Sequence, residues 1–184
     1  MTLFNPTLSN KNQLFHRYCW LIFIPVFTYL AIRAFFNEPL LDELITYSNY
    51  IQSHKPHNLD IPIDANNHLL NTYLASCTAY LFGEHIFWLR LPNLLSFIFY
   101  FISVVGILKY LNHTIVRYLG LLALTCIPFI TEYFAYCRGY GLSLMFIALA
   151  FQQLLRFIRT QNPNAFIIGV PSAAMAAMAN LNVL

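Results

Sequence analysis

Two adjacent acids, Asp42 and Glu43, two arginines, Arg90 and Arg138, and one histidine, His68, are the residues of this sequence best equipped for chemistry. A carboxylate facing a hydroxyl can take its proton as a general base. A guanidinium can hold a phosphate through two parallel N–H donors and neutralise the charge that grows as the phosphate departs. Successive helical residues point about 100° apart, so Asp42 and Glu43 divide their roles: one faces a reacting hydroxyl while the other supports it or stays solvated. Tyr140, in Arg138-Gly139-Tyr140, joins Arg90, Arg138 and His68 as a substrate-binding candidate. No HxxxH and no His/carboxylate pair at ligand spacing surrounds His68, so no metal centre is expected and no cofactor is implied. Each residue also has a structural role to weigh. Acids in a first helical turn complement the helix dipole, and arginines near span ends extend toward lipid headgroups, a description that suits Arg33 best. Helix-end solvation accounts for Glu132.

The elements that must position these residues follow from composition. The chain has 184 residues, 59% hydrophobic, 17% aromatic and only 9% charged, against about 45–50% apolar and about 25% charged in an average soluble domain. That excludes disorder, coiled coil, collagen and disulfide scaffolds. A net charge of +3 is too weak to argue for nucleic acid. Cys19, Cys77, Cys126 and Cys137 are scattered without partnered spacing and read as small buried hydrophobes. The expectation is an all-α, polytopic membrane helix bundle.

Runs long enough to cross the hydrocarbon are expected at Tyr18–Phe36, Leu91–Leu111, Ile115–Ile130, Tyr140–Phe157 and Ala165–Leu184. The first has no small-residue cleavage site after it and reads as a retained anchor. Residues 37–90 form one outer loop with two short helices, Pro39–Ser53 and Asn66–Gly83, joined by an irregular polar connector. In the second helix Leu69, Leu70, Tyr73, Leu74, Cys77, Tyr80 and Leu81 make an apolar stripe. Asn67, His68, Asn71, Thr72 and Ser76 make the opposite face, as expected for a helix lying at an interface. Leaving that loop outside puts Lys11, Arg17, Lys109, Arg117, Arg156 and Arg159 on the inner side. Arg33, Lys55, Arg90 and Arg138 are then outside, and the six-to-four excess obeys the positive-inside rule with a cytoplasmic N-terminus. All seven acids then lie on the outer face. The last apolar run stops at Leu184 without a closing loop, which reads as a truncated chain.

The order of motifs carries a likeness. Asp42-Glu43 follows the first span, then come Asn66-Asn67-His68-Leu69-Leu70-Asn71-Thr72, Leu81-Phe82-Gly83-Glu84, Arg90-Leu91-Pro92-Asn93 and Arg138-Gly139-Tyr140-Gly141-Leu142. From about Tyr18 to Phe157 this resembles the N-terminal part of GT-C glycosyltransferases, in the branch of protein O-mannosyltransferases and lipid A aminoarabinose transferases. The resemblance implies a sugar donor linked to polyprenyl phosphate, an acceptor hydroxyl on a glycan, lipid or protein, and a site at the outer membrane face. It implies an essential acid at Asp42, with Glu43 adjacent, and a donor-binding arginine at Arg90. It also implies a multi-pass protein of the bacterial inner membrane with membrane lipid as its surroundings. A metal held through the first loop, known in some members, would fall on His68, but the Pro-Pro pair common there is Leu69-Leu70. Two other classes compete: a transporter or lipid-linked oligosaccharide flippase subunit, which expects ionisable groups near the bilayer midplane, and a non-catalytic membrane assembly partner.

Overall fold

In the computed structural model residues 6–52 and 68–180 are described, with side chains from Leu14 onward in the first segment. All regular structure among them is helical: α1 (Pro6–Phe36), α2 (Leu41–Thr46) running into a π-helical turn (Tyr47–Ile51), α3 (Leu69–Phe82), α4 (Ile86–Leu108), α5 (Thr114–Thr125), α6 (Pro128–Ala135), α7 (Tyr140–Thr160) and α8 (Pro163–Ala179). The connector at 54–66, Asn67, Lys55, Asp60, Asp64, the Lys11 side chain and the last four residues lie outside the described parts.

Three helices are long and apolar enough to cross a membrane: Leu14–Phe36 within α1, α4 and α7. A fourth span arises if α5 and α6 count together, with a 50° bend between them. The expected span Ile115–Ile130 falls on these two helices and is bent between them. Pro128 forces its predecessor out of the α region, and Ile127 sits at φ −67°, ψ 125°. The expected fifth span, Ala165–Leu184, is the apolar helix α8, only 17 residues long over the described part. Pro25, Pro92 and Pro171 are carried inside α1, α4 and α8.

α4 is the central helix and packs against α1, α3, α5, α6 and α7, while α8 lies on α7 and α3. Its Phe97, Phe101, Val104 and Val105 meet Phe15, Leu30, Phe134 and Leu142 in one apolar core. Phe97 stands edge-on to Phe134 at 5.1 Å, and Phe23 bridges Phe97 and Phe101. Large apolar side chains such as Leu21, Phe36, Ile115, Phe129 and Ile167 stay exposed around the outside, the arrangement of a bundle solvated by lipid.

α3 reverses a simple reading of its amphipathic pattern. The polar residues Asn71 and Thr72 are fully buried with Ala75, whereas Tyr80 and Leu81 of the apolar stripe are exposed and Leu70 and Leu74 pack partly against the core. The helix presents its polar face to the protein. In an apolar solvent, buried amides find partners inside the protein and leucines need none.

Among the described residues the acids gather at one end of the bundle. Glu38 follows α1, Asp42 and Glu43 begin α2, Glu84 precedes α4, and Glu132 lies in α6. Arg33 and Glu132, expected to reach lipid and solvent separately, pair with each other at 2.5 Å and clip α1 to α6. Both are about one-third exposed, so this surface pair contributes on the order of 0–1 kcal/mol.

Candidate functional site

The α6–α7 turn, residues 136–139, threads between the start of α3 and the end of α8. Gly139 makes this possible: a Cβ there would lie 1.8 Å from the Ala179 carbonyl oxygen and 2.8 Å from the His68 Cβ. Backbone cannot yield as a flexible side-chain tip can. Gly139→Ala is therefore expected to destabilise the protein by about 1–3 kcal/mol. Thermal unfolding in detergent micelles measures this, and an unchanged midpoint would contradict the packing of this turn.

From that turn Arg138 reaches Asp42, with its Nη1 2.7 Å from Oδ2. Their side chains are 23% and 37% exposed. The Arg138 guanidinium also lies over the Tyr140 ring at 5.0 Å. Tyr140 meets the His68 ring edge-on at 5.0 Å and the Tyr133 ring at 4.9 Å. Four of the six residues singled out in the sequence, Asp42, Arg138, Tyr140 and His68, thus share one place at the acidic end of the bundle. His68 is buried at the start of α3 rather than displayed. Among the described residues no three His, Cys, Asp or Glu side chains gather where they could hold a metal ion.

Glu43 and Arg90 are the other two, and they lie one layer deeper. The expectation that Arg90 opens its span at the mouth is corrected: α4 begins at Ile86, and Arg90 is inside it with no side-chain exposure. Its Nε donates to Glu43 Oε1 at 3.0 Å and its Nη2 to Oε2 at 2.6 Å. Nη1 donates to the carbonyls of Ala34 and Asn37, and Nη2 also to that of Glu38. A guanidinium has five N–H donors, and all five are engaged. Glu43 is equally committed, accepting in addition from the Leu40 and Cys137 backbone N–H groups. A carboxylate offers about four lone-pair sites, so neither partner has capacity left for a substrate. The pair joins the end of α1, α2, α4 and the 136–139 turn. It also corrects the expected start of the first loop helix at Pro39: the Glu43 carboxylate caps the Leu40 N–H, and the helix begins at Leu41.

A chain of amides continues this knot. Asn71 donates to Cys137 Sγ at 3.4 Å, Asn93 donates to Asn71 Oδ1 at 2.7 Å, and Asn93 Oδ1 accepts from the Leu142 N–H at 3.1 Å. Asn71 and Asn93 were visible in the sequence as polar residues at membrane depth, a signal that marks functional or structural linkage, yet only their partners reveal which. Tyr133 carried no such signal.

Burial in this knot pushes the Cys137 thiol up to about 12. The thiolate is the reactive species, and a raised value keeps it protonated throughout the ordinary pH range. At pH 8 a small maleimide is therefore expected to leave Cys137 unmodified in the folded protein and to label it only after denaturation, as read by peptide mass spectrometry. Labelling of Cys137 in the native state would mean that the turn opens.

No family model, curated protein or solved structure matches the chain.

Proposed function

We propose that this chain is the N-terminal part of a GT-C type membrane glycosyltransferase, moving a sugar from a polyprenyl-phosphate donor to an acceptor hydroxyl at the outer membrane face. The observation that carries the reading is the partly exposed Asp42–Arg138 pair, flanked by Tyr140, at the acidic end of an apolar helical bundle. A donor with an isoprenoid tail stays in the bilayer, so its phosphate meets the protein where a span ends. The ordered motifs from Asp42-Glu43 to Arg138-Gly139-Tyr140 support the same assignment. In this reading α2 and α3 lie along the membrane surface, the N-terminus is cytoplasmic, and the protein resides in a bacterial inner membrane.

Exposure decides which ion pair does the work. An exposed pair is worth about 0–1 kcal/mol, so Arg138 exchanges Asp42 for a donor phosphate at little cost. Removing one partner from a buried pair costs about 3–5 kcal/mol, which excludes routine exchange at Glu43–Arg90. Arriving donor draws Arg138 onto its phosphate and leaves the Asp42 carboxylate to take the acceptor proton as the acceptor oxygen attacks the anomeric carbon. The C–O bond to the phosphate breaks, and Arg138 neutralises the charge left there. Tyr140 holds Arg138 against its ring, and His68 backs Tyr140. Glu43 and Arg90 position Asp42 without touching substrate. The charged groups at span ends weigh against a transporter, which would place them midway along the helices. Sugar transfer from a polyprenyl-phosphate donor by the full-length protein in liposomes tests the proposal. Transfer that is absent, or that survives replacement of both Asp42 and Arg138, would refute it.

A further inference from the structure

The end of the bundle opposite Asp42 holds a second charged assembly. Tyr110, in the link between α4 and α5, has Lys109 Nζ 5.3 Å from its ring centroid and the Arg159 guanidinium 5.1 Å from it. Both cations are exposed. The ring is not on a loose loop. Arg117, only 2% exposed, donates to the Lys109 carbonyl at 3.1 Å and to the Leu111 carbonyl at 2.6 and 2.8 Å. It thereby fastens the backbone on both sides of Tyr110. Arg159 stands in the last turn of α7, and α5 and α8 each begin four residues beyond Tyr110 and Arg159. The C-termini of α4 and α7 lie at this end beside those two N-termini, so the helix dipoles largely offset one another and the side chains carry the charge.

Among the described residues this end contains no acid, and Arg17 and Arg156 are exposed there as well. Two like charges gathered on one ring repel each other, and a ring quadrupole offsets little of that at an exposed site. An anion taken up by these cations reverses the balance. The spans on either side place the cluster at the level where a bilayer carries its phosphates. We infer that Lys109, Tyr110 and Arg159 form a binding site for the phosphate of an anionic phospholipid. Lys109 and Arg159 supply the charge and the donors, Tyr110 spaces them, and Arg117 holds the loop. The inference is independent of the glycosyltransferase proposal, because it concerns the other end of the molecule.

The test is retention of phosphatidylglycerol by the full 184-residue chain, measured by native mass spectrometry after extraction from phosphatidylglycerol–phosphatidylcholine vesicles. Each basic residue near an anionic surface adds about 1 kcal/mol, so Lys109→Gln with Arg159→Gln is expected to weaken retention roughly thirtyfold. Arg159→Lys, which keeps the charge, is expected to retain the lipid, and Arg33→Gln at the opposite end is expected to leave retention unchanged. Millimolar inorganic phosphate is expected not to displace the lipid. The replaced side chains are exposed, and unfolding in phosphatidylcholine vesicles verifies that the variants fold. Undiminished retention in the double variant, equal loss in Arg33→Gln, or ready displacement by inorganic phosphate would each overturn the inference, the last by showing a free-phosphate site.

Discussion

If the proposed function holds, Asp42→Asn is expected to lower sugar transfer by roughly a hundredfold to ten-thousandfold, the range for losing a general base, while insertion and donor binding persist. Asparagine keeps the shape of the side chain and can still meet Arg138, but its amide cannot take a proton from an attacking hydroxyl. The expected signature is therefore a fall in turnover per folded molecule with an unchanged yield of folded protein. Arg138→Gln should behave differently. It frees the Asp42 carboxylate while removing the phosphate partner, so donor affinity falls along with turnover. Transfer from a polyprenyl-phosphate donor, with folded protein quantified separately, distinguishes the two. Full activity in Asp42→Asn would remove the base from this position, and the committed acceptors of Glu43 leave it poorly placed as a substitute.

The second large effect is on stability. Arg90→Met leaves the Glu43 carboxylate buried and unpaired, and is expected to cost about 3–5 kcal/mol. Adding Glu43→Leu removes the orphaned charge and recovers part of that loss. Recovery is incomplete because the Ala34, Asn37 and Glu38 carbonyls and the Leu40 and Cys137 N–H groups also lose their partners. An isolated buried pair would tolerate the double replacement well, whereas this one is woven into the backbone of four segments. Reversible unfolding in mixed micelles, run on both variants, checks the order: single worst, double intermediate. A stable Arg90→Met that has lost donor binding would return Arg90 to the phosphate site.

These two predictions separate neighbours that the sequence treats alike. Asp42 and Glu43 are adjacent acids in one helical turn, and helical geometry shows that they diverge. It does not show which faces inward. Arg90 and Arg138 are both arginines at the edge of an apolar run, and local pattern gives each the same two roles. The difference arises from segments far apart in the chain. Glu43 finds Arg90 in α4 and Cys137 beyond α6, and Asp42 finds Arg138 in the same turn. The pairing of Arg33 with Glu132 has the same origin.

What the sequence by itself determined is the class of molecule and its major helices. Hydropathy is a sum over neighbours in the chain, so the apolar runs now seen as α1, α4 and α7 needed no tertiary information. The break between α5 and α6 at Pro128 is local too, but hydropathy runs across it, and Ile115–Ile130 reads as one run until the 50° bend is seen. The tertiary structure alone decided that α3 turns its polar face inward, that Arg90 is spent within the protein, and that Asp42, Arg138, Tyr140 and His68 meet. Hydrogen bonds and ion pairs between distant residues form only when packing brings complementary groups together. In an apolar surrounding each buried polar group must find such a partner, and the partner is a property of the assembled bundle rather than of any segment within it.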